Sequence, residues 1–217
     1  MLSPADGVNT YKSRRTIEVR DRDGNIVPRS VVFLEDRPPL APTAFPPREH
    51  CRVLVLGCGN SCVAEAMLRD GWTGGIVNVD FSDVVIQQMK ARYDKTFYEE
   101  LAKSYKNTIG QVALQQDPME FVCADVTRQL PFADSSFDLI ICKGTLDAVL
   151  SSAGSVADVK RMMHECCRLL RDPHGAMVVV THASPDNRLV FFENTGDEWW
   201  AGINVHTVPF ADRDALR

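Results

Sequence analysis

Residues 53–61 read Val53-Leu54-Val55-Leu56-Gly57-Cys58-Gly59-Asn60-Ser61. Gly57 and Gly59 let a backbone turn tightly and let a ligand come closer than a Cβ would allow. Asp80 closes a second short apolar run, where a carboxylate can accept from ribose hydroxyls. Asp125 stands just past a third run, in reach of an exocyclic amino group, and its neighbour Val126 can pack on a flat ring. Lys143-Gly144-Thr145-Leu146-Asp147-Ala148 leaves a fourth, carrying a cation and a carboxylate. Such a set suits a ligand built on a nucleoside.

These groups meet only if several strands end at one edge. The unbroken run 53–56 suits a parallel strand buried on both faces, and Asn60 and Ser61 are good caps for a helix over 62–69. Further strands are expected at 76–80, 121–124, 137–142 and 176–181. Ser82 should cap a helix with Val85, Ile86 and Met89 on one face. Ser155 with Asp158 forms a capping box for a helix carrying Val159, Met162, Met163, Cys166 and Leu170, which stops near Pro173 and Gly175. Strands alternating with helices predict an α/β fold, a doubly wound, mostly parallel Rossmann-like sheet. Phe97, Leu101 and Tyr105 recur every four residues, so the long stretch 93–117 should include an extra edge helix.

The ends read differently. Residues 16–20 and 30–34 look like strands of a hairpin around Asp21-Arg22-Asp23-Gly24-Asn25. That turn loosely resembles a calcium loop, but its twelfth position is Val32 rather than an acid, so a plain turn is expected. Residues 37–47 are proline-rich and read as an extended linker. The division is an extension over 1–47 and a main domain over 48–217. Residues 204–208 are a sixth strand candidate, and 211–217 are too polar and short for another core strand.

A chain of 217 residues with 45% apolar content can bury a core without disulfides or metal. Its net charge of −5 argues against a sequence-independent grip on nucleic acid, while leaving room for an acidic mouth facing a basic protein segment. The seven cysteines are odd in number and include no C-x-x-C pair. They read as buried reduced thiols in a reducing compartment, with no metal site. No signal core or membrane-spanning run is present, so the cytosol or nucleus is the default, and a cytoplasmic location is expected.

Two cofactors compete for the glycine turn. A dinucleotide fingerprint wants a third glycine where Cys62 stands, which disfavours NAD; Asp80 serves NAD and S-adenosylmethionine equally. The segments Gly57-Cys58-Gly59-Asn60-Ser61, Asp80-Phe81-Ser82-Asp83-Val84-Val85-Ile86 and Lys143-Gly144-Thr145-Leu146-Asp147-Ala148 decide the matter. Across about residues 51–185 the chain resembles the class I, seven-strand S-adenosylmethionine-dependent methyltransferases. Within them it looks like the lysine methyltransferases of translation elongation factor 1-alpha and their methyltransferase-like relatives.

The resemblance implies that Gly57, Cys58, Gly59 and Asn60 lie against the methionine part of the cofactor. Asp80 would hold the ribose with Phe81 on the adenine, and Asp125 and Val126 would meet the adenine edge and face. Lys143 would stand at the carboxylate end, by the lysine channel, and Lys143 and Asp147 are the catalytic candidates. The implied partner is a protein lysine, with an elongation factor as the natural target. Three departures accompany the likeness. Cys142 stands where the family has an acid, the N-terminal lid helix is replaced by the hairpin, and the last antiparallel strand is expected to be missing. They motivate a second, alternative reading, a catalytically impaired module that binds cofactor or partner.

Overall fold

The computed structural model describes residues 12–20, 26–34, 46–105, 118–152, 155–171 and 174–193, with residues 200, 203 and 205. The chain divides into two units, Met1–Ala41 with Ser184–Arg217, and Pro42–Ala183. In the first, β1 (Lys12–Arg20) and β2 (Ile26–Leu34) pair antiparallel, with Thr16 opposite Ser30 and Lys12 opposite Leu34. Both strands are longer than expected, because Lys12–Arg15 continues the ladder against Val31–Leu34 at one end and Ile26–Arg29 continues it against Ile17–Arg20 at the other. Pro28 is tolerated in β2 because a two-stranded ribbon has an unpaired side on each strand. The turn at 21–25, most of the linker at 37–47 and most of the strand candidate at 204–208 lie outside the described residues.

The second unit is a parallel sheet of β3 (Val53–Leu56), β4 (Ile76–Asp80), β5 (Met119–Cys123), β6 (Leu139–Lys143) and β7 (Ala176–Val180). Its order is β5-β4-β3-β6-β7. The chain winds outward from β3 to β4 and β5, then returns past β3 to β6 and β7. The direction of winding reverses between β3 and β6, where crevices open at the carboxyl ends of strands. The helices are α1 (Val63–Arg69), α2 (Asp83–Arg92), α3 (Lys95–Tyr105), α4 (Thr145–Leu150) and α5 (Ser155–Leu169). The edge helix expected within 93–117 is α3. The first unit also contains α6 (Asp186–Glu193).

Alternate residues of each strand face opposite ways. Val53 and Val55 join Ala64, Leu68, Ile86, Met89 and Leu101 in one core, between the sheet and α1, α2 and α3. Leu54, Leu56, Ile140 and Cys142 have the other parity, the side served by α4 and α5 with Leu146, Met162, Met163 and Leu169, all fully buried. Burying each large side chain is worth roughly 1.5–3 kcal/mol, so both layers are needed. The first layer gives out at β7, whose Val178 and Val180 share that face and are 45% and 51% exposed.

Buried charge fixes the strand starts. The Asp138 carboxylate, at the head of β6, accepts from the Arg52 N–H at 2.8 Å and from the Arg171 guanidinium at 2.7 Å. Glu165 of α5 accepts from the Leu130 N–H at 2.7 Å and from Arg168. Burial opposes its ionisation, but Arg168 and the Leu130 amide outweigh it and hold the carboxyl below its ordinary range.

One capping expectation changes. The N-cap of α1 is Cys62, with no side-chain cap bond, and Ser61 instead accepts weakly from the Val63 N–H at 3.3 Å. Asp158 is paired with Arg161 one turn on, and the Ser155 side chain of the expected box lies outside the described residues. Ser82 does cap α2, accepting from the Val85 N–H.

All seven cysteines are free, and Cys62 and Cys123 are exposed. Burial pushes the thiols of Cys51, Cys58 and Cys167 up to about 12. Brief alkylation of the native protein at neutral pH should therefore label Cys62 and Cys123 and spare the other five, as peptide mass spectrometry will read. Rapid labelling of Cys51 or Cys142 would contradict the packing.

Candidate active site

The first strand of the parallel sheet runs out at Leu56, and the turn that follows is held from both sides. On the β6 side, the Thr145 hydroxyl donates to the Leu56 carbonyl at 2.6 Å. Gly57 has φ +58°, and a Cβ built on it would lie 2.4 Å from Thr145 Oγ1. On the β4 side, Asp80 accepts from the Gly59 N–H at 2.9 Å with one oxygen and from the Ser82 N–H at 3.0 Å with the other. The Cys58 N–H donates to the Val79 carbonyl at 2.9 Å. The two glycines therefore do different work. Gly57 makes room for Thr145, whereas Gly59, φ +52°, has nothing within 4 Å of its Cβ position. Only the second faces open space.

Around this turn the predicted residues take distinct positions. Asp80 is 6% exposed. A carboxylate has about four acceptor positions, so two remain after its backbone bonds. Phe81, immediately after it, is 81% exposed. An aromatic ring that bare beside a buried carboxylate offers a surface on which a flat ligand can stack. Asn60 is exposed, while the Cys58 thiol is buried, so Cys58 can meet a ligand through its backbone alone. The exposed Val84, at the start of α2, extends the apolar surface beside Phe81. The helical spacing marks only the inward Val85, Ile86 and Met89 and assigns Val84 no place in the site.

Asp125 is committed locally. One oxygen accepts from the Thr127 N–H at 2.9 Å and the Thr127 hydroxyl at 2.7 Å, and the other lies 3.3 Å from Arg128. The Thr127 amide is the main cause holding its carboxyl below the usual range, against the cost of burial. Val126 is 8% exposed and offers a ring little surface.

On the other flank, Lys143 ends β6 with its side chain exposed, and the Gly144 N–H donates to the Val180 carbonyl at 2.9 Å. Asp147, in the first turn of α4, is mostly buried. Its carboxylate accepts from the Thr181 hydroxyl and, at 3.2 Å, from the His182 N–H. The His182 ring Nδ1 lies 3.1 Å from the same carboxylate, and the imidazole is 90% exposed. Sequence reasoning did not single out His182; its one signal was a histidine two residues past an apolar strand. Cys142 is fully buried, and burial lifts its thiol to about 11 against the Leu146 amide and Thr145 hydroxyl nearby. Among the described residues no His, Cys, Asp and Glu cluster could hold a metal.

Comparison with known proteins adds a family. The family model described as "Methyltransferase domain" matches residues 54–179. The eEF1A lysine and N-terminal methyltransferase of Bos taurus is 39% identical over 127 residues, 58% of this chain and 15% of that protein. EEF1A lysine methyltransferase 4 of Mus musculus is 30% identical over 156 residues, 68% of this chain and 52% of that protein. The chain thus spans about half the length of the second relative and far less of the first. A solved S-adenosylmethionine-dependent methyltransferase from Methanosarcina mazei overlays 75% of this chain and 69% of its own at 20% identity, with a TM-score of 0.43.

Proposed function

The chain belongs to the methyltransferase domain family, and from that premise we propose that it transfers a methyl group from S-adenosylmethionine to a lysine amine of a protein. The relatives' names make elongation factor 1A the first acceptor to try. The observation that carries the reading is the pairing of an open cradle with a bare ring. Gly59 faces space that a Cβ would fill, and Asp80 and the exposed Phe81 stand beside it.

These residues fit the cofactor's parts. The free acceptor positions of Asp80 suit ribose hydroxyls, Phe81 and Val84 offer a surface for the adenine, and the Gly57–Asn60 backbone turns under the remainder. The Lys143 ammonium is of the right sign for the amino-acid carboxylate. Asp125 is a weaker partner for the adenine amino group, since Thr127 and Arg128 already hold it. S-adenosylmethionine, when bound, supplies a sulfonium methyl already activated for attack. The protein then has to align an amine with it and remove a proton, and alignment alone can supply most of the acceleration.

The impaired-module reading loses its main support in Cys142. That side chain has no accessible surface, so position 142 packs into the core rather than facing a ligand. Two measurements test the proposal. Calorimetric titration of the folded chain with S-adenosylmethionine should show one site, and no binding would end the reading. Methyl-labelled cofactor should then label purified elongation factor 1A at lysine. Cofactor binding without any labelled protein, in that assay and in whole lysate, would leave the module.

A further inference from the structure

The predicted residues leave one chemical requirement unmet. A lysine amine arrives as an ammonium, and neither Lys143 nor the buried Asp147 is a free proton acceptor. Resting on the methyl-transfer reading above, we propose that His182 takes that proton through Nε2, with Asp147 as the residue that positions it.

The geometry settles which nitrogen is basic. Asp147 offers only oxygen acceptors, and it already receives the Thr181 hydroxyl and the His182 backbone N–H. At 3.1 Å from Asp147 Oδ2, the ring Nδ1 must be the donor in that contact. In the neutral ring the lone pair then lies on Nε2. With the imidazole 90% exposed, that nitrogen is open to a partner, while its backbone and Nδ1 are both tied to one carboxylate. In Ser-His-Asp triads an aspartate orients a neutral imidazole that accepts a proton in the same way.

The position suits the task. Val180 pairs with Lys143 in the sheet, so His182 emerges two residues past the point where β6 releases the Lys143–Asp147 segment. The ribose and adenine candidates Asp80 and Phe81 follow β4, on the far side of β3. A ligand laid from β4 across the glycine turn brings its reactive end toward β6 and β7, where an acceptor amine must enter. His182 stands at that end.

The step balances simply. The ammonium N–H bond breaks, and its electron pair stays on nitrogen as the lone pair that attacks. A new N–H bond forms at Nε2, and the positive charge moves to the imidazolium beside Asp147. Bulk water then takes the proton. A solvated lysine ammonium, pKa about 10.4, resists this transfer, and water lost from around the amine as the protein substrate docks lowers that resistance.

The test compares wild type, H182A and D147N on elongation factor 1A. H182A should lose about 100-fold in kcat while S-adenosylmethionine affinity by calorimetry stays unchanged. Added imidazole should restore about tenfold of that loss, because the missing ring was solvent-exposed. In long-range proton–nitrogen NMR without cofactor, wild-type His182 should be the Nδ1-protonated tautomer, and D147N should lose that preference along with kcat. A working wild type with undiminished H182A, or an H182A that imidazole does not rescue, overturns this proposal alone. A wild type that binds cofactor and methylates nothing overturns the methyl-transfer reading and this one with it.

Discussion

Gly57→Ala should be among the most damaging single substitutions in the chain, and Gly59→Ala should be mild for the fold yet harmful to binding. At φ +58° an alanine costs roughly 1–2 kcal/mol from backbone strain alone. Its methyl would also sit 2.4 Å from Thr145 Oγ1 and 2.7 Å from Thr145 Cγ2. Thr145 cannot swing away cheaply, because its hydroxyl is bound to the Leu56 carbonyl and the residue is buried. The expected total is about 4 kcal/mol, which lowers Tm by roughly 8–16 °C in a chain of this size. Gly59→Ala carries the strain without the collision, so about 1–2 kcal/mol is expected, with at least a tenfold loss of cofactor affinity from filling the cradle. Thr145→Ala should cost about 1 kcal/mol for its hydrogen bond and should partly relieve Gly57→Ala when combined with it. Thermal melts of the four proteins form a double-mutant cycle. If the two substitutions simply add, the collision is not what makes Gly57 a glycine.

That contrast also shows how far the sequence could be read. Alternating apolar runs and helical faces located each strand of the parallel sheet to within a few residues, because a strand buried on both sides has few ways to be written. The glycine turn was legible for the same reason: two glycines after such a strand demand an unusual backbone. Its division of labour was not, since the partner of Gly57 is Thr145, brought near by the sheet order rather than by proximity in sequence. Cys142 misled for a related reason. A missing acid in a motif suggests a lost ligand contact, but strand parity turns position 142 into the core beside Leu56. Asp125 reads in sequence as an acceptor, and its partners Thr127 and Arg128 come into view only in the structure. His182 was hidden because its meaning depends on Asp147, and only the pairing of β6 with β7 unites them. Local physics wrote the elements plainly. The pairs that shape the candidate site are long-range, and they are where reading in one dimension fails.

The sharpest separation of fold from function lies in two adjacent residues, Asp80 and Phe81. Asp80→Ala removes the acceptor for two backbone N–H groups, those of Gly59 and Ser82, at a position 6% exposed. Each stranded donor costs roughly 1–3 kcal/mol, so the turn should loosen and Tm should fall by several degrees. Affinity for S-adenosylmethionine should drop at least 100-fold, because the ribose contact and the shape of the cradle go together. Asp80→Asn should fall between, since an amide oxygen can serve one N–H while its NH2 confronts the other. Phe81→Ala reverses the pattern. A side chain 81% exposed contributes little to packing, so Tm should not move by more than a degree or so. Loss of base stacking, roughly 1–3 kcal/mol, should nevertheless weaken binding by about 5- to 150-fold. Calorimetry and melting curves on the three variants read both quantities. Phe81→Ala with wild-type affinity would remove the ring from the site, and Asp80→Ala that lowers Tm while leaving affinity intact would make Asp80 a turn clamp and nothing more.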